Sequence, residues 1–285
     1  MLFKHLPTTS QMVGIGQPCC LDDLHQPAAH SVCLERRLAV DSALQGKSTF
    51  SSLSMNDYQL WAGLDWKAPH NTPAACNRLC NKLHEEVYEL LPELEKQIAL
   101  TRYESRAVNP VKSIVSEMGD VLWCLNGLAT FEGIDLQRAL AHHLLDESGV
   151  SSLTFRLGSI DTLIQEGLRP RYTRNLYNDE DLDHCELNPA TSFLPLCFQI
   201  YSHTNNKLDD VVGDVILTRS APWAQDLSAI GQMHAQAILF LAYYAHRWGG
   251  SNLAAVVETN IRKINLRVQS KHLDKVDGAR TAEEL

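Results

Sequence analysis

Between Ser113 and Phe131 the only charged residues are Glu117 and Asp120, set among Ile114, Val115, Met118, Val121, Leu122, Trp123 and Leu125. A helix this apolar is buried on most of its sides. Two carboxylates inside it need a partner, because an uncompensated buried charge is costly. About thirty residues earlier, His84-Glu85-Glu86-Val87-Tyr88-Glu89-Leu90 carries a second pair. Glu86 and Glu89 are three apart, as are Glu117 and Asp120, so each pair projects from one helix face. If the two helices pack antiparallel, four carboxylates converge. Like charges gathered without a cation repel. Mg²⁺ answers that need, because it prefers oxygen ligands, keeps some waters and bridges carboxylates to phosphates. The competing explanation is a structural ion-pair network, with Lys112 or Arg102 as the cation. Glu93 and Glu95 read as ordinary solvated acids, and Glu85 as either a solvated acid or a helper of the site.

The rest of the composition narrows the class. Apolar residues make up 45% of the 285 residues, enough for a substantial core. The formal net charge is −9 with no long Lys/Arg run, which argues against a nucleic-acid surface, where phosphates need clustered cations. A single nucleotide remains compatible, since a metal ion supplies positive charge. No stretch approaches the length of a membrane-spanning helix, and the N-terminus lacks the apolar stretch of a secretory signal. The cytoplasm is the default expectation. Eight cysteines lack paired CxxC units, and Cys76 and Cys80 lie one helical turn apart, so reduced core thiols are expected. The cluster Cys19, Cys20, His25, His30 and Cys33 is irregularly spaced, which favours thiols and imidazoles without a metal over a metal site there.

Residues 1–52 read as a poorly structured leader, with a short amphipathic helix around Leu34–Leu44. The organised part is expected from Ser54, a capped helix start. A helix from Asn71-Thr72-Pro73 carries a 3-4 apolar stripe through Leu79, Leu83, Val87, Leu90, Leu91 and Leu94, with a kink expected at Pro92. The next helix runs from Asn109-Pro110 to Phe131 and stops at Gly133, and Asp135 caps another to about Glu147. Residues 53–148 thus form one helical repeat carrying the acids. Residues 149–190 form a partly helical connection, 191–269 a second helical block, and 270–285 a polar tail. Strand alternation is absent, so the fold class is all-α, an antiparallel helical bundle.

Glu-x-x-Glu-Leu followed by Glu-x-x-Asp-Val-Leu-Trp resembles the MazG-like all-α nucleotide pyrophosphohydrolases, relatives of the dimeric dUTPases and phosphoribosyl-ATP pyrophosphohydrolases. Asp57-Tyr58-Gln59 before the motif and Gly133-Ile134-Asp135-Leu136 after it add to the resemblance, which covers residues 54–147. It implies hydrolysis of a nucleoside triphosphate between its α- and β-phosphates, giving a monophosphate and pyrophosphate. Glu86, Glu89, Glu117 and Asp120 would then hold Mg²⁺, and one carboxylate, with Glu85 as helper, would orient or deprotonate the attacking water. Trp61, Trp66 and Trp123 read as core residues, although Trp61 or Tyr58 could line a base pocket by stacking. His142 and His143 are given no role.

One departure stands out. The family's Asn-x-x-Lys-x-x-x-Arg segment is missing from Ala139–Asp146, and its elements occur instead as Asn260, Lys263 and Arg267. The two halves can be overlaid. Ser116–Leu122 runs beside Gly231–Ala237, Phe131–Leu136 beside Trp248–Leu253, and Leu79-Cys80 beside Leu196-Cys197. His203-Thr204-Asn205-Asn206 then replaces the ExxE region. An internal duplication follows as the expectation: a tandem pseudo-dimer whose second repeat has lost its acids but supplies phosphate contacts from Lys263, Arg267 and Asn260. A solvated C-terminal helix face is the bland alternative for these three. The competing function is a nucleotide-sensing or scaffold protein that keeps the acidic site without turnover. Pairing into a homo-oligomer is compatible with either function.

Overall fold

A computed structural model describes residues 38–64, 73–103, 112–148, 156–170, 189–214 and 223–267. Among them are nine α-helices and no β-strand; the backbone pairing of Ser54 with Arg156 is an isolated bridge. The helices are α1 (residues 38–44), α2 (Met55–Leu64), α3 (Pro73–Tyr103), α4 (Lys112–Phe131), α5 (Leu136–Ser148), α6 (Leu157–Gln165), α7 (Pro189–Asp214), α8 (Trp223–Arg247) and α9 (residues 253–267), with a 3-10 turn at Phe50–Ser52. The chain is all-α, as the absence of strand alternation predicts.

The leader is ordered earlier than its composition suggests. Val40, Ala43 and Phe50 are buried in the core, so the expectation of a poorly structured 1–52 segment is corrected for residues 38–52. The Cys19–Cys33 cluster lies outside the described residues. Helix α2 opens with the reciprocal cap its sequence promises. The Ser54 backbone N–H and Oγ both donate to Asp57 Oδ2, at 2.7 and 2.8 Å, while Asp57 N–H donates back to Ser54 Oγ at 3.2 Å. Helix α3 runs unbroken through Pro92, which lies on its exposed side. The expected 149–190 connection contains α6, whose Leu157, Ile160 and Ile164 are buried.

Helices α3 and α4 form the central hairpin. Helix α7 packs on α3, while α8 packs on α4, α5, α6 and α7. That position explains the apolar run Ala235–Ala245, in which only Tyr243 escapes full burial: a helix surrounded on all sides has no polar face to show.

The two halves repeat the same local devices. Helices α4 and α8 are each followed by a glycine at positive φ, Gly133 at 73° and Gly250 at 56°, the backbone that favours glycine at helix C-termini. The next helix in each half is then capped in the same way. At α5, Asp135 Oδ1 accepts from Arg138 N–H, while α2 reaches across with Gln59 Oε1 to Leu136 N–H and Asn56 Oδ1 to Gln137 N–H. At α9, Asn252 Oδ1 accepts from Ala255 N–H, while α6 reaches across with Asp161 to the N–H groups of Leu253 and Ala254, at 2.7 and 3.2 Å. A short helix thus satisfies the orphan donors of the last helix in both halves. Helix α2 packs on α4 as α6 packs on α8.

Candidate active site

Glu86 and Glu89 come from the middle of α3, and Glu117 and Asp120 from the second and third turns of α4. Carboxylate oxygens of Glu86, Glu89 and Glu117 all lie within 4.8 Å of one another. Glu86 is buried, Glu117 half-buried and Glu89 exposed, so the cluster opens to solvent on the Glu89 side. Burial, with Asp120 and Glu89 adding negative charge, pushes the Glu86 carboxyl above its ordinary range against the pull of Lys82. Burial also raises Glu117, opposed by Lys263 and reinforced by Asp120, Glu86 and Glu89. Among the described residues, no hydrogen bond or ion pair reaches Glu89 or Glu117.

Asp120 stands slightly apart from this trio and is held from the other half of the chain. Lys263 of α9 pairs with Asp120 Oδ2 and donates to Ser116 Oγ at 2.9 Å. Asn260 Nδ2 donates to Asp120 Oδ1 at 3.1 Å, and Asn260 Oδ1 accepts from the Tyr58 hydroxyl at 2.9 Å. Asn260 and Tyr58 are both fully buried. The chain Tyr58–Asn260–Asp120 therefore links α2, α9 and α4. It also bears on two expectations. Tyr58 stacks on Trp61 inside the core with ring centroids 6.0 Å apart, and its face is unavailable to a base. Asn260 spends both ends of its amide within the protein. Arg267 lies one turn beyond Lys263 and is exposed.

Gly119 makes the approach of α9 feasible. A Cβ at Gly119 would lie 2.9 Å from Asn260 Cβ, too close for two carbons. The glycine between Glu117 and Asp120 thus lets α9 pass against the acidic turn of α4.

On the opposite wall, Lys82 Nζ lies 2.7 Å from Glu86 Oε1 and 3.2 Å from Glu85 Oε2. Its hydrogen bond to Glu86 is the main reason its ammonium is held more firmly protonated than usual. Lys82, Ser116 and Gly119 carry no mark in the motif patterns, although the i,i+4 spacing of Lys82 to Glu86 is a signal that finds it. Among the described residues, the cations paired with these acids are Lys82 and Lys263; Lys112 and Arg102 have no described side chains.

In the second half, the positions overlaid on the acidic pairs hold His203, Thr204 and the α8 turn around His234. Thr204 Oγ1 donates to Glu132 Oε1 at 2.5 Å, and His234 Nε2 lies 3.4 Å from Glu132 Oε2, with both side chains buried. Among the described residues, the only grouping of three or more carboxylate, imidazole or thiol groups able to hold a metal is Glu86, Glu89 and Glu117. Cys76, Cys80, Cys124 and Cys197 are free and buried.

The site is thus an acidic cluster on two adjacent helices of an all-α bundle, opened toward solvent and flanked by lysines. Residues 75–144 match the family model described as the MazG nucleotide pyrophosphohydrolase domain. Residues 75–144 thus make up a MazG-like domain within the chain, a match that supports nucleotide pyrophosphohydrolase activity in general. No curated protein and no solved structure matches the chain. No helix among the described residues is long and apolar enough to cross a membrane.

Proposed function

We propose that this protein hydrolyses a nucleoside triphosphate to the monophosphate and pyrophosphate in a Mg²⁺-dependent reaction. The observation that carries this proposal is the convergence of the Glu86, Glu89 and Glu117 oxygens within 4.8 Å, inside the segment that matches the pyrophosphohydrolase domain. An all-oxygen donor set suits a hard cation such as Mg²⁺ rather than a thiophilic or imidazole-seeking metal. The upward shifts of Glu86 and Glu117 express the same need, since buried carboxyls resist ionisation until positive charge is near. When bound, Mg²⁺ would neutralise the phosphates and polarise the attacked phosphorus.

The residues of the chain divide the remaining work. Glu86, Glu89 and Glu117 hold the metal. Asp120 completes that set from the neighbouring turn, and one carboxylate orients the attacking water, with the exposed Glu85 at the rim as its helper. Asn260 fixes Asp120 in place rather than contacting substrate. Lys263, tied to Ser116 and Asp120, presents a fixed positive charge to the phosphates; Arg267, further along α9, suits an outer phosphate. The second half acts as the partner of the first: we read the shared caps and glycine stops as an internal duplication forming a single-chain pseudo-dimer. Cytoplasmic residence fits a nucleotide substrate.

One observation favours a second reading. Lys82 and Lys263 already neutralise Glu86 and Asp120 in pairs, as in a site that senses nucleotides without turnover. Pyrophosphate release from a panel of ribo- and deoxynucleoside triphosphates, with and without Mg²⁺, separates the two. Turnover that needs Mg²⁺ and is lost in both Glu86→Gln and Asp120→Asn supports the enzyme. Mg²⁺-dependent nucleotide binding with no product selects the sensor.

A further inference from the structure

We propose that Lys82 is an exchangeable counter-ion: it holds Glu86 while the acidic site lacks a metal, then transfers its ion pair to the substrate's phosphates. This rests on the pyrophosphohydrolase reading above and assigns a residue that the family match and the acidic motif leave without a role.

The two lysines of the site are held differently. Lys263 is anchored to a hydroxyl as well as a carboxylate, and its side chain is only 23% exposed. Lys82 is 44% exposed and, among the described residues, bonded only to the carboxylates of Glu85 and Glu86. It sits one turn before Glu86 and two before Glu89, on the same face of α3. The Glu86 oxygen that Lys82 occupies belongs to the most buried acid of the trio, whose side chain is 7% exposed. A divalent ion bound by Glu86 claims that carboxylate and repels the ammonium beside it. A lysine is a flexible point charge with three donors, so the displaced Nζ can swing outward along the rim while its Cα stays on the rigid helix. The anion that arrives there with the metal is the polyphosphate chain. The pair broken on the α3 wall is then remade with substrate, opposite the fixed charge of Lys263. Metal and phosphate binding become coupled, because each relieves the charge the other leaves unpaired.

The test is titration calorimetry on the full chain with MgCl₂ alone, then with inorganic pyrophosphate at saturating Mg²⁺, for wild type, Lys82→Met and Lys82→Arg. Removing the competing ammonium is expected to tighten Mg²⁺ binding in Lys82→Met, while pyrophosphate binding weakens about fivefold, the scale of one partly exposed ion pair. Lys82→Arg, which keeps the charge and guards against misfolding of the Met variant, should retain pyrophosphate affinity. In turnover, Lys82→Met should raise KM more than it lowers kcat. Unchanged pyrophosphate affinity in Lys82→Met overturns the proposal. So does weakened Mg²⁺ binding, which would make Lys82 a fixed support for Glu86. If wild type binds no Mg²⁺ at all, the metal-site reading fails first, a different result from failure of Lys82 alone.

Discussion

Glu117 shows how the site trades stability for charge. Its carboxyl is raised by burial and by Asp120, Glu86 and Glu89, with Lys263 pulling the other way. A raised carboxyl binds its proton more tightly in the folded than in the unfolded chain, so its contribution is favourable at low pH. That contribution is lost as pH rises from the ordinary range, near 4.5, through the raised value. Glu86 shifts in the same direction. In EDTA, the melting temperature is therefore expected to fall across that window. Mg²⁺ should reverse the trend, since it binds only the ionised carboxylates, and its stabilisation should grow toward neutral pH. Glu117→Gln is expected to raise the metal-free melting temperature at neutral pH, by roughly 2–4 °C for each kcal/mol of repulsion relieved, and to abolish the Mg²⁺-dependent gain. Thermal melts across pH, with and without Mg²⁺, check both. A melting temperature that Mg²⁺ leaves unmoved in wild type would remove the basis for both. Asn260 carries a structural prediction of its own. Asn260→Ala leaves the fully buried Tyr58 hydroxyl without its acceptor, at a cost of about 1–3 kcal/mol. Adding Tyr58→Phe should recover part of that loss in denaturant titrations, because the orphaned hydroxyl is gone.

At the scale of the helices, the acid spacing, the caps and the glycine stop were all legible. Ser54, Asp57, Gly133 and Asp135 act where short-range chemistry places them, because caps depend on neighbours in sequence. The Glu86/Glu89 and Glu117/Asp120 faces follow from helical periodicity for the same reason. What remained hidden was the partner of each polar group across the fold. No local pattern says that Asp161 caps α9, that Asn260 stands between Tyr58 and Asp120, or that Gly119 is small because Asn260 passes over it. Those contacts join positions separated by ninety residues or more, as with Asp161 and Leu253, and only tertiary packing specifies them. Aromatic rings illustrate the same limit: Tyr58 next to the motif looked available for stacking, and packing placed it in the core. The hidden contacts can be tested as elements. Asp161→Ala removes the acceptor for two N–H groups at the start of α9 and should cost about 1–2 kcal/mol. Because α9 carries Lys263, turnover should fall further than a surface substitution explains. Gly119→Ala drives a methyl into Asn260 and is expected to cost about 1–3 kcal/mol through overpacking. It should also lower activity, whereas Gly46→Ala, where no atom lies within 4 Å of the added carbon, tests only the strain of a positive-φ turn.

For the whole molecule, the described parts of the two halves share their caps and glycine stops and differ in charge, and on the proposed reading that asymmetry predicts how many acidic metal sites the chain holds. Helix α4 presents Glu117 and Asp120 to α9, which returns Lys263 and Asn260. The mirrored pair is α8 and α5, where Gly231 of α8 lies 3.6 Å from Ala139 Cβ when given a Cβ of its own. That is ordinary van der Waals distance, unlike the 2.9 Å at Gly119, and the α8 turn offers Gln232 and Ala235 where α4 offers Glu117 and Asp120. The buried Glu132 is tied to Thr204 and lies against His234, so polar chemistry there serves to join the halves. A symmetric dimer of such repeats would hold two acidic sites for eight helices of the α2–α5 type; this chain should hold one. Calorimetric or equilibrium-dialysis titration with Mn²⁺ in place of Mg²⁺ is expected to show one acidic cluster's complement per chain, removed wholly by Glu86→Gln combined with Glu117→Gln. Binding that persists in the double variant would mean that the second half has kept a site of its own. Deleting α9 should also leave the acids of α3 and α4 in sequence yet end turnover. The segment that matches the family, residues 75–144, contains neither Lys263 nor Asn260, so the catalytic unit is expected to extend from α2 through α9 rather than to coincide with the matched stretch.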